Sequence, residues 1–266
     1  MHPERTIKKI IPYLLKKYDK SKEGVAIDIG IGTDNYYFPI FQKENYKTFA
    51  IEPLPCENLL ELIPKTKVVF INECISDYNG TIEIYTGRYE GNDYVDVSST
   101  NFDWWGIDKN SKTESVSCRN LKSVIEDFRI KKITYFKVDT EGTEFTIIKQ
   151  FEDIPIYIYP EIIEFEYGGG GTKMEGKAGW SEKYYKQTLD ILILLKKIGY
   201  KYMLIFEREV EIPIEANIEG DINFTELFQD QFVYGNILIF RDKKYSLNKI
   251  NLFCKPSFLE KFNFFR

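Results

Sequence analysis

A strand that runs straight into glycines constrains this chain more than any other feature of it. In Val25-Ala-Ile-Asp-Ile-Gly30-Ile-Gly32 an apolar β run meets a turn in which side chains would obstruct the backbone, and helical patterning follows to about Lys43. A second strand, Tyr46 to Ile51, closes a βαβ unit, and strands joined by a helical crossover lie parallel. The alternation continues with a Pro-flanked helix at Glu57 to Leu62, a third strand at Lys67 to Ile71 and a helix at Leu121 to Phe128. A fourth core strand at Ile133 to Val138, a helix from about Thr143 and a strand at Ile156 to Phe165 come next. Past a Gly-rich break at Gly168 to Gly171, the helix Lys183 to Lys197 is dense in Leu and Ile and is expected to be buried over most of its surface. Tyr200 to Phe206 and Asn236 to Phe240 supply the closing strands, as an antiparallel edge of a doubly wound, mostly parallel α/β sheet.

Between the third strand and the helix at Leu121 to Phe128, Asn79-Gly80 marks a hairpin turn into a strand at Thr81 to Tyr85, the aperiodic stretch Gly87 to Thr113 reads as a long surface loop, and the alternation resumes with a strand at Ser115 to Cys118. Ahead of the first strand, Ile7, Ile10, Ile11, Leu14, Leu15 and Tyr18 form the apolar stripe of a Lys-rich helix, in which Pro12 either makes a kink or opens the main part.

The length of 266 residues suits one large domain, here an N-terminal helical segment (1–23), a core (24–242) and a C-terminal extension (243–266). A net charge of -5 argues against a broad phosphate-backbone footprint, so no nucleic-acid partner is expected. Cys56, Cys74, Cys118 and Cys254 show no CxxC or Cys/His pairing, which leaves no zinc site and points to reduced thiols. No apolar run approaches the roughly 20 residues of a membrane span and none resembles a signal peptide, so a cytoplasmic location is expected. No pattern sets an oligomeric state.

Chemistry-bearing residues collect at the carboxyl ends of the strands, where open α/β sheets bind ligands. Asp28, two residues before Gly30, can accept hydrogen bonds from amides of the turn and attract an ammonium group. A dinucleotide's pyrophosphate would gain nothing from that anion, which favours S-adenosylmethionine over NAD. Glu52, ending the second strand, matches the position that holds ribose hydroxyls and serves either cofactor. After the fourth strand, Asp139, Glu141 and Glu144 place three carboxylates within six residues, a repulsion that marks a functional pocket, with Asp139 its leading member.

Assembled in order, these runs resemble the FkbM-type family of class I S-adenosylmethionine-dependent methyltransferases, from about Gly24 to Tyr167. The resemblance rests on Ala26-Ile-Asp-Ile-Gly30, Ala50-Ile-Glu-Pro-Leu-Pro55, Asn72-Glu-Cys-Ile-Ser-Asp77 with Gly80, Phe136-Lys-Val-Asp-Thr-Glu-Gly-Thr-Glu144, and Ile162-Ile-Glu-Phe165. It implies a Rossmann-like, seven-stranded, mostly parallel sheet. It implies that Asp28, Gly30 and Gly32 hold the methionine part, that Glu52, followed by Pro53, holds the ribose, and that Cys74, Ile75 and Ser76 border the adenine. Asp139 then sits near the sulfonium, with Glu141, Glu144 and Glu164 around the acceptor. The chain departs from the family pattern at Asp34, where a later glycine is usual, and at Lys122, which replaces an acid.

The implied reaction is in-line methyl transfer to a hydroxyl of a sugar, glycan or small metabolite, with Asp139 or Glu164 accepting the proton and Glu141 nearby. Oxygen ligands suit a divalent metal on Asp139, Glu141 and Glu144, but none is predicted. Two alternatives stand beside this: an NAD-dependent Rossmann oxidoreductase, weakened by Asn35 in place of a third glycine, and a non-catalytic cofactor-binding protein. Plainer roles are also open. Glu144 suits the first turn of a helix, Glu164 suits a buried structural pair, and Trp104, Trp105 and Trp180 suit burial as well as stacking on a sugar. Gly168 to Gly171 is either a lid hinge or a flexible loop, and His2 is expected to be frayed and without a role.

Overall fold

The computed structural model describes residues 2–33 and 36–255, so Asp34, Asn35 and the end of the aromatic tail lie outside the described residues. The strands of its two larger sheets are β1 (Val25–Ile29), β2 (Lys47–Ile51), β3 (Val69–Ile71), β4 (Cys74–Ile75), β5 (Gly80–Tyr85), β6 (Thr113–Arg119), β7 (Ile133–Val138), β8 (Ile162–Gly168), β9 (Tyr202–Glu207), β10 (Ile214–Asn217) and β11 (Tyr234–Phe240), and a separate short hairpin pairs Arg88–Tyr89 with Asn92–Asp93. Its helices are α1 (Pro3–Tyr18), α2 (Phe38–Lys43), α3 (Glu57–Leu62), α4 (Leu121–Asp127), α5 (Glu144–Ile148), α6 (Glu182–Lys197) and α7 (Leu247–Cys254). The main sheet has eight strands in the order β10-β9-β11-β8-β7-β1-β2-β3. From β1 the chain winds outward through β2 to β3, and from β7 it winds the other way, so the direction reverses between β1 and β7. Ligand crevices of open α/β sheets form at that reversal, beyond the carboxyl ends of the strands.

Alternation along the strands separates two cores. Ile27, Ile29, Phe136, Val138, Ile163 and Phe165 face α4, α5 and α6, whereas Ala26, Tyr135 and Ile162 face α1, where Ile7, Ile10, Ile11 and Leu14 are fully buried. Helix α1 runs through Pro12 as one element. A mid-helix proline costs about 3 kcal/mol, and each fully buried Leu or Ile returns about 1.5–3 kcal/mol, so the four buried side chains outweigh it. Among the described residues no helix is long and apolar enough to cross a membrane.

The sheet departs from expectation in its strand count and its edge. There are eight strands rather than seven, because Ile214–Asn217 adds an antiparallel strand on β9. The expected antiparallel edge strand is instead inserted, since β11 runs antiparallel between β8 and β9. Asn79-Gly80 closes no hairpin: β4 and β5 both pair with β6, which lies between them, and the Asn79 side chain is spent on the Asn120 amide and Ser123 at the start of α4. The strand expected from Ile156 starts only at Ile162, because residues 156–158 form a 3-10 turn between Pro155 and Pro160, which lack ladder donors. Helix α6 buries one face, leaving Ile193 exposed. Between β5 and β6, Val97, Ser99 and Trp104 are buried, so the stretch expected to be a surface loop packs against the sheet end.

Candidate active site

Three neighbouring strands carry the same spacing: Asp28-x-Gly30 on β1, Lys137-x-Asp139 on β7 and Glu164-x-Glu166 on β8. Register sets them side by side, Lys137 lying opposite Asp28 on one flank and Glu164 on the other. Residues two apart share a face, so an inner row of Asp28, Lys137 and Glu164 lies beneath an outer row of Gly30, Asp139 and Glu166. The outer row opens into a cavity of about 280 Å³, at the small end of ordinary ligand clefts, which also takes in Glu52, Pro53, Cys74, Ile75, Glu141 and Tyr234. The inner row is buried.

The turn after β1 is shaped for close approach. Gly30 and Gly32 adopt φ of 74° and 71°, and a Cβ on Gly30 would fall 1.6 Å from the Asp139 carbonyl oxygen. Glu52 holds the turn: one carboxylate oxygen accepts from the amides of Ile31 (3.0 Å) and Gly32 (3.2 Å), the other from Leu54 (3.0 Å). Burial raises the Glu52 pKa, against the pull of these amides. On the far side of the turn, Asp96 accepts from both the amide and the hydroxyl of Thr33 at 2.7 Å.

Beyond β7 the chain supplies acids on a strained loop. Glu141 sits at φ 54°, a conformation costly for a side chain and common at functional sites. Its carboxylate accepts from Trp104 Nε1 at 2.7 Å, and its carbonyl accepts from the Ser99 hydroxyl at 2.6 Å. Asp139, Glu141 and Glu166 offer oxygens that lie within 4.8 Å of one another, a group able to hold a cation. Burial first, and then the negative charge of Asp139, pushes the pKa values of Glu141 and Glu166 well above the carboxylate range. Asp139 has a cation in reach, Lys137 Nζ at 3.2 Å.

Several expected site residues lie elsewhere. Asp28 does not line the cavity: it is buried beside Lys137 Nζ, 3.6 Å away, and the turn amides it was expected to bind are held by Glu52. Glu164 is fully buried and does not line the cavity, accepting from the hydroxyls of Tyr37 (2.8 Å) and Tyr135 (2.5 Å). Burial pushes its pKa to about 7. Ser76 is buried away from the cavity, its amide donating to the Arg119 carbonyl and its own carbonyl accepting from Gln150. Glu144 spends its carboxylate on the amides of Thr140 and Gly142, so the acid that converges with Asp139 and Glu141 is Glu166 in its place. Trp104 and Trp180 are buried, the latter donating to the Val233 carbonyl, and the Gly168 to Gly171 segment is anchored by the Gly169 amide on the same carbonyl. Lys122 is exposed beside Glu126 and lines no part of the cavity.

Sequence reasoning missed Lys137, Asp96, Glu166 and His2. The first and third were detectable from the shared x-separated spacing on adjacent strands. Asp96 carried no local signal, and His2, expected to be frayed, lines the cavity with Glu4.

Residues 25–202 match the model of the methyltransferase FkbM domain. Among curated proteins, none matches the chain significantly.

Proposed function

We propose that this chain, which belongs to the methyltransferase FkbM domain family, transfers a methyl group from S-adenosylmethionine to a hydroxyl of a sugar, glycan or small metabolite. That family places it among methyltransferases rather than nicotinamide-linked oxidoreductases. The observation that carries the cofactor assignment is the turn at Gly30 and Gly32, bare of side chains, pinned by Glu52 and facing Asp139 across the reversal point of the sheet.

The residues present fit such a group. Gly30 and Gly32 leave room beside the backbone for its methionine part, Glu52 lines the cavity and keeps one acceptor position beyond its three turn amides for a ribose hydroxyl, and Cys74 and Ile75 offer an apolar border for the base. Asp139, paired with Lys137, supplies negative charge for a sulfonium, with Glu141 and Glu166 beside it. Bound there, S-adenosylmethionine supplies an electrophilic methyl carbon. The chain's own contribution is orientation, worth up to about 7–11 kcal/mol in well-aligned cases, and a place for the acceptor's proton. We assign that proton to Asp139, which lines the cavity with one carboxylate oxygen held by Lys137, and Glu141 stands beside it. Glu164, behind the cavity wall, supports the sheet face instead.

Calorimetry with S-adenosylmethionine and S-adenosylhomocysteine tests the cofactor half, and no heat of binding for either would end this reading. Turnover of labelled cofactor with a panel of hydroxylated acceptors tests the other half. Asp139→Asn is expected to abolish it, and an active variant would rule Asp139 out as the proton acceptor.

A further inference from the structure

Resting on that reading of the Gly30 turn, we infer that Lys137 is a positioning residue, which fixes the turn and the Asp139 carboxylate relative to each other. Its ammonium has three N–H donors and meets three acceptors: the Gly30 carbonyl at 3.0 Å, Asp139 at 3.2 Å and Asp28 at 3.6 Å. It is buried, with 3 % of its side chain exposed.

The order of those distances decides between two roles. A buried lysine retained only to neutralise a buried carboxylate would close on it, since an unpaired charge in the interior is costly. Asp28 is the buried carboxylate, yet among the described residues neither of its oxygens has a hydrogen bond, and it is the farthest of the three partners. The ammonium is displaced toward the cavity, and its shortest contact is to a neutral carbonyl in the cofactor turn. Register produces this placement, because Lys137 sits opposite Asp28 while its long side chain reaches one row outward to Gly30 and Asp139. Asp28 then holds the cation from behind, and the Tyr37 ring, 5.1 Å from Nζ, flanks it.

The test uses the full chain as wild type, K137M and D28N/K137M. The single variant strands Asp28 without its cation and is expected to lose stability. The double variant removes both charges and is expected to melt near the wild type. Its affinity for S-adenosylhomocysteine should nevertheless remain about ten- to a hundredfold weaker, the value of a charge-assisted hydrogen bond, with faster amide exchange from Gly30 to Thr33. Affinity and exchange protection that return together with the melting temperature would overturn the inference and make Lys137 the counter-ion of Asp28 alone. Should the wild type bind neither cofactor form, the methyl-transfer reading fails separately, and amide exchange still decides whether Lys137 holds the turn.

Discussion

Gly30 carries more of the site than any single charge in it. Alanine there meets two penalties at once, a φ of 74° and a Cβ 1.6 Å from the Asp139 carbonyl oxygen, a backbone atom that has little freedom to retreat. At Gly32 the φ of 71° carries the same backbone strain, but the atom in the way is the Asp96 carboxylate at 3.0 Å, the end of a side chain rather than backbone. Gly30→Ala is therefore expected to lower the melting temperature and abolish cofactor binding in calorimetry, and Gly32→Ala to weaken binding about tenfold or less. The reverse ranking would contradict the geometry of the turn. Glu164 offers a second check on a single residue. Its pKa is raised by burial to about 7 from 4.5, so the folded state binds its proton more tightly than the unfolded chain does. The stability it contributes is complete below about pH 4.5 and is lost as pH rises through 7. Melts across that window should show Glu164→Gln gaining on the wild type as pH increases, and a constant difference would mean that Glu164 stays ionised in the fold.

The segment between β5 and β6 is the element that completes the cavity. Its side chains bond forward and backward in the chain: Asp96 to Thr33, Ser99 to the Glu141 carbonyl, Asn101 to the Gly142 carbonyl, and Asp103 to Lys183. Asp96→Ala removes both bonds to Thr33 while leaving the buried Val97 and Trp104 in place. It is expected to leave the melting temperature within a few degrees, to raise amide exchange across residues 94–100, and to weaken cofactor binding about tenfold. Unchanged exchange would mean that other contacts hold the segment. This is also where sequence legibility gave out. Strands β1, β2 and β7 and helix α3 were recoverable because apolar periodicity and turn residues are local. The 86–112 segment has no period, and apart from a short local hairpin at residues 88–93 it is held by partners far away in the chain, which no window of sequence contains. Glu166 was readable in principle, as the residue two beyond Glu164 and so on the same face of the strand. Its neighbour drew attention only through the family motif, and that motif stops at Phe165.

Taken whole, the molecule separates its chemistry from its anchoring, and Asp19 marks the far end. The cavity lies beyond the carboxyl ends of the parallel strands, whereas Asp19, just after α1, is buried where β1 and β7 begin. Its carboxylate accepts from the Gly24 amide (2.9 Å), the Thr134 hydroxyl (2.7 Å), the Ser21 hydroxyl (3.0 Å) and Lys132 Nζ (3.0 Å). Burial alone would raise its pKa, but these donors outweigh burial and hold it well below the usual range. A depressed carboxylate stabilises the fold above its unfolded pKa of about 3.8, and that contribution is lost as pH falls through the folded value. Asp19→Ala should thus cost about 3 kcal/mol at neutral pH, with the gap to wild type narrowing on acidification below pH 4. Because α1 also carries the buried stripe packed on Ala26, Tyr135 and Ile162, on the strand face that bears Asp28, Lys137 and Glu164, loosening its end tests whether the two ends of the sheet are mechanically coupled. Cofactor affinity within about twofold of wild type, measured well below the melting temperature, is the outcome expected of a rigid sheet that isolates the site. A loss as large as that of Gly30→Ala would show instead that α1 transmits strain across the sheet to the Gly30 turn.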